Sequence, residues 1–314
     1  MNLSNEILRG NITALSKGIT LIESNLDSDI KNIQKLVSKC LPFSGKSIRI
    51  GITGIPGVGK STFIDTFGKI LTSNGYKVAV LAIDPSSKKS SGSILGDKSR
   101  MNKLSSDKNA FIRPSPNSGN IGGLSKNTRE SIILCEAAGF NIILIETVGV
   151  GQSETDVSNI CDFFLLLMIT GAGDELQAIK RGIIELADAI IINKADGENK
   201  KNAEITKNEY QKSLELFPVM ENGWVPKIDI CSSTENIGMI NIWNIIQEHD
   251  SIMKNSGWKI ENRKRQDIYW LHQIIKEELG KNKYKLLKTN GILKKLETDL
   301  IKEKNISKII SNII

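Results

Sequence analysis

The sequence IRIGITGIPGVGKST, residues 48–62, decides the fold of this chain. Residues 48–53 are mostly apolar and have the length of one buried strand. Residues 54–61 then read GIPGVGKS, which has the spacing G-x-x-x-x-G-K-S. Glycines at these positions let the backbone close tightly so that successive N–H groups point at one anion, and the following helix directs its positive end at the same point. The stretch therefore predicts a phosphate-binding loop between a strand and a helix.

The polar groups of this loop have expected roles. We expect Lys60 to reach the β- and γ-phosphates of a nucleotide, which also makes it a candidate catalytic residue. We expect the Ser61 hydroxyl to be a ligand of Mg²⁺. The candidate nucleotide-binding residues of the loop and first helical turn are Gly54, Pro56, Gly57, Val58, Gly59, Lys60, Ser61 and Thr62. The sequence thus predicts binding of a nucleoside triphosphate together with magnesium.

Strands and helices alternate downstream of this loop. Apolar runs predict strands at 48–53, 77–83, 141–146, 163–169, 188–193 and 227–231, and helical spacing predicts helices at about 60–73, 125–138, 175–187, 198–215 and 237–249. The apolar runs are almost continuous, as in parallel strands that are covered on both faces. This alternation predicts an α/β fold with a doubly wound, mostly parallel sheet.

Helical segments flank the predicted sheet. Residues 3–41 carry apolar side chains at helical spacing, with Gly10 and Gly18 expected to separate two or three helices, and helical spacing returns after Trp258. We expect an N-terminal helical extension, a nucleotide-binding domain and a C-terminal helical arm, at 1–45, 46–252 and 253–314. The apolar stripe of the C-terminal helices needs a covering surface, which could belong to the chain itself or to a second subunit.

A short motif after a later strand indicates the base of the nucleotide. Residues 193–196 read Asn-Lys-Ala-Asp. A carboxylate held edge-on to a purine accepts from guanine N1–H and from its 2-amino group together, whereas adenine has an acceptor at N1 and no 2-amino group. Because a charge left unpaired is costly, this arrangement favours GTP over ATP. We expect Asp196 to read the base, and Asn193 and Lys194 to support the loop and cover the ring.

Acidic side chains follow other strand ends. Glu146 ends the strand predicted at 141–146, beside the expected phosphate loop, and is a candidate Mg²⁺ ligand and catalytic residue. Asp84 and Asp97 are further candidate ligands, since carboxylates suit Mg²⁺ and two or three of them near one cation offset each other's repulsion. Capping of a helix or turn is the alternative role for both.

A glycine-rich turn follows Glu146. Gly149 and Gly151 would let the backbone approach the γ-phosphate, and the N–H groups of this turn could report whether that phosphate is present. Gln152 is a candidate catalytic residue because its amide could orient a water molecule. A solvent-facing polar role for Gln152 is equally open.

The composition argues against several classes of function. The chain of 314 residues has a net charge of +7, and its Lys are spread along the sequence, which indicates a solvated surface rather than a nucleic-acid-binding one. The four Cys are widely spaced and only two His occur, so we expect no zinc site and reduced thiols in a cytoplasmic protein. The N-terminal residues do not have the pattern of a signal peptide, and the longest apolar run, 163–169, is too short to span a membrane.

Several segments together resemble a known family. Besides the phosphate loop they are DPSS at 84–87, GDKSRM at 96–101, RPSP at 113–116, ETVGVGQSE at 146–154, GAGDELQ at 171–177 and NKAD at 193–196. In this order they resemble the methylmalonyl-CoA mutase-associated GTPases, the MeaB/ArgK group, over nearly the whole chain. The resemblance implies a parallel-sheet GTPase domain with helical extensions at both ends.

The resemblance also implies a function and partners. It implies a GTP-hydrolysing chaperone of an adenosylcobalamin-dependent acyl-CoA mutase, with methylmalonyl-CoA mutase as the first candidate, that gates cofactor loading and protects the mutase. An adenosyl transferase is a second candidate partner. A homodimer formed through the C-terminal arm is implied as well.

The resemblance assigns roles to residues of this chain. It implies a first switch at 147–154, a second at 171–182 and a guanine loop at 231–234. The residues carried over are Ser61, Asp84, Asp97 and Glu146 around Mg²⁺, Asp174 and Lys180 in the second switch, and Ser232 and Ser233 at the base. The chain departs from the family pattern at Thr170, where Pro is usual, and at Ser233, where Ala is usual, which puts the detail of the base loop in question.

Rival functions remain to be compared with this one. A kinase-like component of amino-acid transport would favour ATP, and Asp196 argues against it. A metal-inserting GTPase of the related nickel class would need Cys and His near the switches, where Cys161 is the nearest Cys and no His accompanies it. A nucleic-acid-acting GTPase is suggested by the basic charge alone.

Overall fold

The structure is a computed structural model that describes residues 2–24, 26–84, 101–116, 121–147, 153–171, 181–214, 219–303 and 305–311. The strands in these residues are β1 (Ile48–Gly54), β2 (Val78–Asp84), β3 (Ala110–Pro116), β4 (Ile142–Thr147), β5 (Phe163–Met168), β6 (Ala189–Ile192) and β7 (Lys227–Ile230). They form one parallel sheet of seven strands in the order β3-β2-β4-β1-β5-β6-β7. The predicted α/β fold with a parallel sheet is confirmed.

Helices precede, connect and follow the strands. The described helices are α1 (Leu3–Leu8), α2 (Ile12–Ile22), α3 (Ile30–Cys40), α4 (Lys60–Ser73), α5 (Asn102–Ser105), α6 (Ile121–Ala137), α7 (Ser153–Ser158), α8 (Arg181–Leu186), α9 (Asn199–Leu214), α10 (Met239–Asn255), α11 (Trp258–Thr289), α12 (Ile292–Glu303) and α13 (Ile306–Ser311). Within α11, Gly280 has a non-helical backbone that kinks the helix. The predicted helix at 60–73 coincides with α4.

The central strand explains where a ligand site can lie. β1 pairs with β4 on one side and with β5 on the other. Both neighbours are buried along their whole length, which is why their sequences are almost continuously apolar. Because the strands are parallel, the carboxyl ends of β1, β4, β6 and β7 lie at the same edge of the sheet. In open α/β sheets, ligands bind outside this edge.

The strand β3 was absent from the sequence prediction. Its sequence, AFIRPSP, contains Pro114 and Pro116, and a proline lacks the N–H that a sheet ladder needs. β3 lies at the edge of the sheet, where it pairs only with β2. Proline is tolerated there because one side of an edge strand carries no partner. Because β3 has neither an alternating nor a continuous apolar pattern, the periodicity of apolar residues did not predict it as a strand.

One compact unit of the chain comprises Ile48–Pro116 and Ile142–Lys259 and contains the sheet. An apolar cluster in this unit joins β1, β4 and β5 to α4 and α10. Phe63 and Phe67 stack with ring centroids 5.2 Å apart, and Trp243 meets Phe67 edge-on at 6.3 Å. Burial of each aromatic side chain stabilises the fold by about 1.5–3 kcal/mol. This packing anchors α4, and with it the segment that precedes α4.

The other compact unit comprises Met1–Ser47, Asn117–Asn141 and Ile260–Ile314. It therefore combines helices from both ends of the chain with α6. The Glu136 carboxylate on α6 accepts from the Gly45 N–H and the Ser47 hydroxyl, both at 2.6 Å. The division of the chain into domains at 1–45, 46–252 and 253–314 stays a prediction.

Gly18 does not end a helix, contrary to the sequence prediction. It lies inside α2, whereas Gly10, with a φ of +78°, does lie between α1 and α2. A Cβ atom on Gly18 would come within 2.9 Å of side-chain carbons of Ile7 and Leu134. Glycine is present there because neighbouring helices approach closely, not because the chain turns.

Part of the apolar stripe of the C-terminal helices is covered within the chain, whereas Leu286 of α11 is exposed. Leu293, Leu296 and Leu300 of α12 are buried. The Asn305 amide, which precedes α13, donates to the Ser38 hydroxyl at 2.8 Å. The predicted homodimer stays a prediction. In the part of the chain that the structure describes, every helix is too short or too polar to cross a membrane.

A buried polar pair lies at the amino end of β6. Asp188 Oδ1 is 3.6 Å from His249 Nε2, and Asp188 Oδ2 accepts from the Phe164 N–H at 2.8 Å. Burial raises the pKa of Asp188 to about 7 and lowers the pKa of His249 to about 4. Near pH 6 both side chains are therefore mainly neutral, and their contact is not a salt bridge.

We expect Asp188 to make the protein less stable as pH rises through neutrality. Its native pKa is raised, so the native state holds a proton that the unfolded chain has released, and this stabilisation is lost as pH rises through about 7. The lowered pKa of His249 acts in the opposite direction, but only below about pH 6.5. The free energy of unfolding in urea should fall by roughly 1 kcal/mol between pH 6.5 and 8.

The variant Asp188→Asn should remove most of this fall. Glu204→Gln, at an exposed position of α9, is the control and should keep the wild-type slope. An Asp188→Asn protein whose stability falls as steeply as that of the wild type would contradict the assignment.

Candidate functional site

The phosphate loop predicted from the sequence connects β1 directly to α4. Gly57 and Gly59 have φ values of +83° and +96°, a region that favours glycine. A Cβ on Gly54 would lie 2.4 Å from the Leu167 carbonyl oxygen of the adjacent strand, so no side chain fits there. Glycine is thus required at these positions for two different reasons, backbone conformation and close approach.

The remaining residues of the loop differ in what they can offer a ligand. Pro56 and Thr62 are exposed, whereas the Val58 side chain is fully buried in the apolar core. Only the backbone of Val58 can therefore contact a nucleotide. The Lys60 ammonium lies inside the loop, where it donates to the carbonyls of Gly54 at 2.6 Å and Ile55 at 3.2 Å. The loop thus surrounds a cation, and a phosphate is the kind of anion that suits this arrangement.

Ser61 and Glu146 are brought together from positions far apart in the sequence. The Ser61 hydroxyl donates to Glu146 Oε1 at 2.9 Å. Glu146 is buried near the carboxyl end of β4, in register with Ile52 of β1. The next residue, Thr147, donates through its hydroxyl to Thr53 Oγ1 at 2.9 Å, which fixes the two strand ends to each other. Oxygen ligands of this kind fit Mg²⁺.

Several predicted site residues cannot be placed. The backbone of Asp84 ends β2, next to β4, but its side chain lies outside the described part of the structure. Asp97, Gly149, Gly151, Gln152, Asp174 and Lys180 also lie outside the described residues, and their roles stay predictions. In the ranges that the structure does describe, no group of three or more His, Cys, Asp or Glu side chains could hold a metal ion.

Asn193 connects the phosphate loop to the predicted guanine loop. Its Nδ2 donates to the Val58 carbonyl at 2.9 Å. Its Oδ1 accepts from the Ser233 hydroxyl at 2.9 Å and from the Ser233 N–H at 3.3 Å. Asn193 is 1% exposed, so it acts through these contacts rather than through contact with solvent or ligand. The Thr66 hydroxyl on α4 adds a further bond, to the Ser233 carbonyl at 2.8 Å.

Asp196 is oriented by two hydroxyl groups. Its Oδ2 accepts from Ser232 at 2.7 Å and from Thr234 at 3.0 Å. These bonds, with that of Ser232 the larger cause, hold the pKa of the Asp196 carboxyl below its usual value. The carboxylate is therefore ionised near neutral pH and keeps one direction, which is what pairing with two N–H donors of a purine edge requires. The Lys194 side chain at the same turn is exposed.

Two contributors to this arrangement were not identified from the sequence. Thr66 belongs to no predicted motif, and Thr234 lies in the predicted guanine loop but was given no role there; their hydroxyls meet Ser233 and Asp196 only after the chain has folded. The contact of Thr66 spans 167 residues, and no local pattern signals such a pair. Thr234 is adjacent to the predicted pair of serines, but only the position of Asp196 shows which residue its hydroxyl bonds.

Comparison with known proteins finds relatives over most of the chain. The family model described as "Methylmalonyl Co-A mutase-associated GTPase MeaB" matches residues 15–287. A probable GTPase of Mycobacterium tuberculosis is 44% identical over 275 residues, covering 88% of this chain and 82% of the relative. The GTPase ArgK of Escherichia coli is 43% identical over 271 residues, with coverages of 86% and 82%. The mouse protein "Methylmalonic aciduria type A homolog, mitochondrial" is 43% identical over 283 residues, with coverages of 87% and 68%.

A solved structure supports the same relationship. The protein in "Crystal structure of LAO/AO transport system kinase" aligns with a TM-score of 0.77 and 34% identity, covering 97% of this chain and 91% of that one. The alignment includes the sheet and the terminal helices alike. The names differ on role: the family model and two of these relatives are called GTPases, the solved structure is called a kinase, and the name of the mouse protein states neither.

We expect Asp196→Asn to change the base preference from guanine to xanthine. An amide has one acceptor oxygen, so it cannot accept from N1–H and the 2-amino group of guanine together, whereas its NH2 group can donate to the 2-oxo group of xanthine. The affinity for GDP should fall about 10- to 100-fold, and XDP should bind more tightly than GDP. Competition against a fluorescent nucleotide measures both affinities.

The matched control is Glu235→Gln, which removes an exposed acid from the same loop. This variant should keep the wild-type preference for GDP. If Asp196→Asn also keeps that preference, the carboxylate does not read the base.

Proposed function

The chain belongs to the family of methylmalonyl-CoA mutase-associated GTPases, and we propose that it binds GTP with Mg²⁺, hydrolyses GTP to GDP and phosphate, and serves as a chaperone of an adenosylcobalamin-dependent acyl-CoA mutase. Methylmalonyl-CoA mutase is the first candidate because the family is named after it. In this proposal the chaperone gates cofactor loading and protects the mutase from inactivation.

The observation that carries the nucleotide part of the proposal is the pair of bonds made by Asn193. One amide group holds the phosphate loop through Val58 and the guanine loop through Ser233. The two ends of a nucleotide would thus meet elements that are bonded to each other. The oriented carboxylate of Asp196 supports guanine as the base, since adenine would leave it unpaired.

Hydrolysis in this site would rest on positioning and electrostatics. The oxygen of a water molecule forms a bond to the γ-phosphorus while the bond from that phosphorus to the β-phosphate oxygen breaks. GDP leaves with the electron pair, and the protons of the water pass to the phosphate product and to solvent. Lys60 and the backbone N–H groups of residues 57–61 would stabilise the charge that develops on the phosphate oxygens. Bound Mg²⁺ would neutralise charge on the triphosphate, and the oxygens of Ser61 and Glu146 fit it, with Asp84 and Asp97 proposed as further ligands.

The water molecule needs a group that orients it. Gln152 is the proposed residue, because it follows the glycine-rich turn after β4. Asp174 and Lys180 are proposed to belong to a second switch that signals the nucleotide state to the mutase. If the mutase sets the conformation of these switches, hydrolysis by the chain alone should be slow and should become faster when the mutase binds.

The partners follow from family membership rather than from the site. A homodimer and an adenosyl transferase belong to the proposal on this ground.

A kinase acting in amino-acid transport is the second candidate function, and the similarity to the solved LAO/AO transport system kinase favours it. That function would transfer phosphate from ATP to a protein, and Asp196 speaks against ATP as the bound nucleotide.

The rate of nucleotide hydrolysis separates these possibilities. Purified protein should hydrolyse GTP slowly and ATP not at all, and addition of an adenosylcobalamin-dependent acyl-CoA mutase from the same source should raise the GTP rate many-fold. Lys60→Ala, which removes the ammonium from the phosphate loop, is the control. It should abolish GTP hydrolysis both without and with the mutase.

Other results of this hydrolysis assay would each contradict a different part of the proposal. A rate of GTP hydrolysis that is unchanged by the mutase would support the proposed nucleotide site and contradict the mutase as the partner. ATP consumed as fast as GTP would overturn the guanine assignment, and phosphate transferred from ATP to a protein would favour the kinase.

A further inference from the structure

Asn199, the first residue of α9, connects two strand ends through its side chain. Its Nδ2 donates to the Lys194 carbonyl at 2.7 Å, and its Oδ1 accepts from the Thr170 hydroxyl at 2.7 Å. Its backbone N–H donates to the Asp196 carbonyl at 3.0 Å. Thr170 follows β5, and Lys194 and Asp196 follow β6. One amide therefore joins the end of β5 to the turn that carries the proposed base-reading carboxylate.

The turn that Asn199 holds has an unfavourable backbone. Lys194 has a φ of +60°, and in the part of the chain that the structure describes, Asn236 is the only other non-glycine residue with a positive φ. A side chain at Cβ makes this conformation costly, and it persists only where surrounding contacts determine it. The bond from Asn199 to the Lys194 carbonyl is such a contact. The peptide that joins Lys194 to Ala195 is held on both sides, its carbonyl by Asn199 and its N–H by the Cys231 carbonyl at 2.9 Å, so Asn199 supplies one of the two bonds that set its direction.

Thr170 holds the oxygen end of the Asn199 amide. The Lys194 carbonyl can only accept, so it requires Nδ2 of the amide to point toward it. Oδ1 then points the other way and accepts from the Thr170 hydroxyl. Without that hydroxyl, Oδ1 would lose this donor and the amide would be held at one end only. The position of the bond to Lys194 would then be less well determined.

We infer that Thr170 and Asn199 are positioning residues for base selection, which set the direction of Asp196 toward the 2-amino group of a purine. Both residues act through the backbone of the turn, Thr170 by holding Asn199 and Asn199 by its bonds to the carbonyls of Lys194 and Asp196. Ser232 and Thr234 hold the carboxylate of Asp196 from the other side. The inference rests on the proposed guanine site, and it adds that selectivity for the 2-amino group is controlled from the end of β5.

The test compares affinities for GDP and IDP, which differ only in the 2-amino group, with ADP as a third ligand. Wild type should bind GDP more tightly than IDP, and both more tightly than ADP. In Thr170→Val, which keeps the shape and removes the hydroxyl, the ratio of GDP to IDP affinity should fall about fivefold, the effect of one net hydrogen bond. Thr170→Ser keeps the hydroxyl and should keep the ratio within about twofold.

Thr298→Val is the matched control, because the Thr298 hydroxyl bonds a helix carbonyl on the exposed face of α12. It should bind all three nucleotides as wild type does. Two results would overturn the inference: a ratio of GDP to IDP affinity in Thr170→Val that is unchanged, including the case in which both affinities fall equally, or an equal loss of ratio in Thr170→Ser. A wild type that binds ADP as well as GDP, or neither, would instead overturn the proposed guanine site and this inference with it.

Discussion

The hydrogen bond from the Asn193 amide to the Val58 carbonyl is the constraint on which the site depends. It fastens the end of β6 to the phosphate loop after β1, two segments 135 residues apart. The same amide accepts from Ser233 after β7. Because Asn193 is fully buried, loss of any of these partners would leave a polar group unsatisfied, at a cost of about 1–3 kcal/mol. The site is therefore built as one network and not as separate loops.

Acidic side chains have different uses at the two ends of the sheet. At the amino ends, Asp162 and Asp188 accept backbone N–H groups of neighbouring strands, those of Arg49 and Phe164. These carboxyls belong to the framework, and burial raises the pKa of Asp188 accordingly. At the carboxyl ends, Glu146 and Asp196 are instead bonded by hydroxyl groups of site residues. An acid after a strand thus suggests a ligand, whereas an acid before a strand suggests strand pairing.

The sequence allowed much of the fold to be predicted, because glycine spacing and apolar runs are local. The phosphate loop, α4 and most strands could be predicted from such local patterns. The edge strand with Pro114 and Pro116 could not be predicted, because tolerance of proline there depends on its place in the sheet. Gly18 was misinterpreted because close helix packing and a chain turn both select glycine. The contact between Thr170 and Asn199 joins residues 29 apart and leaves no periodic signal.

The most direct test of the account is an equilibrium titration of the purified protein with GDP and with ADP in the presence of Mg²⁺. The network around Asn193 and the oriented carboxylate of Asp196 predict one GDP bound per chain and an affinity for ADP lower by at least about 100-fold, as expected when a charged recognition group loses its hydrogen-bond partners. Equal affinities for GDP and ADP, or no binding of GDP, would contradict the claim that these residues form a guanine-nucleotide site.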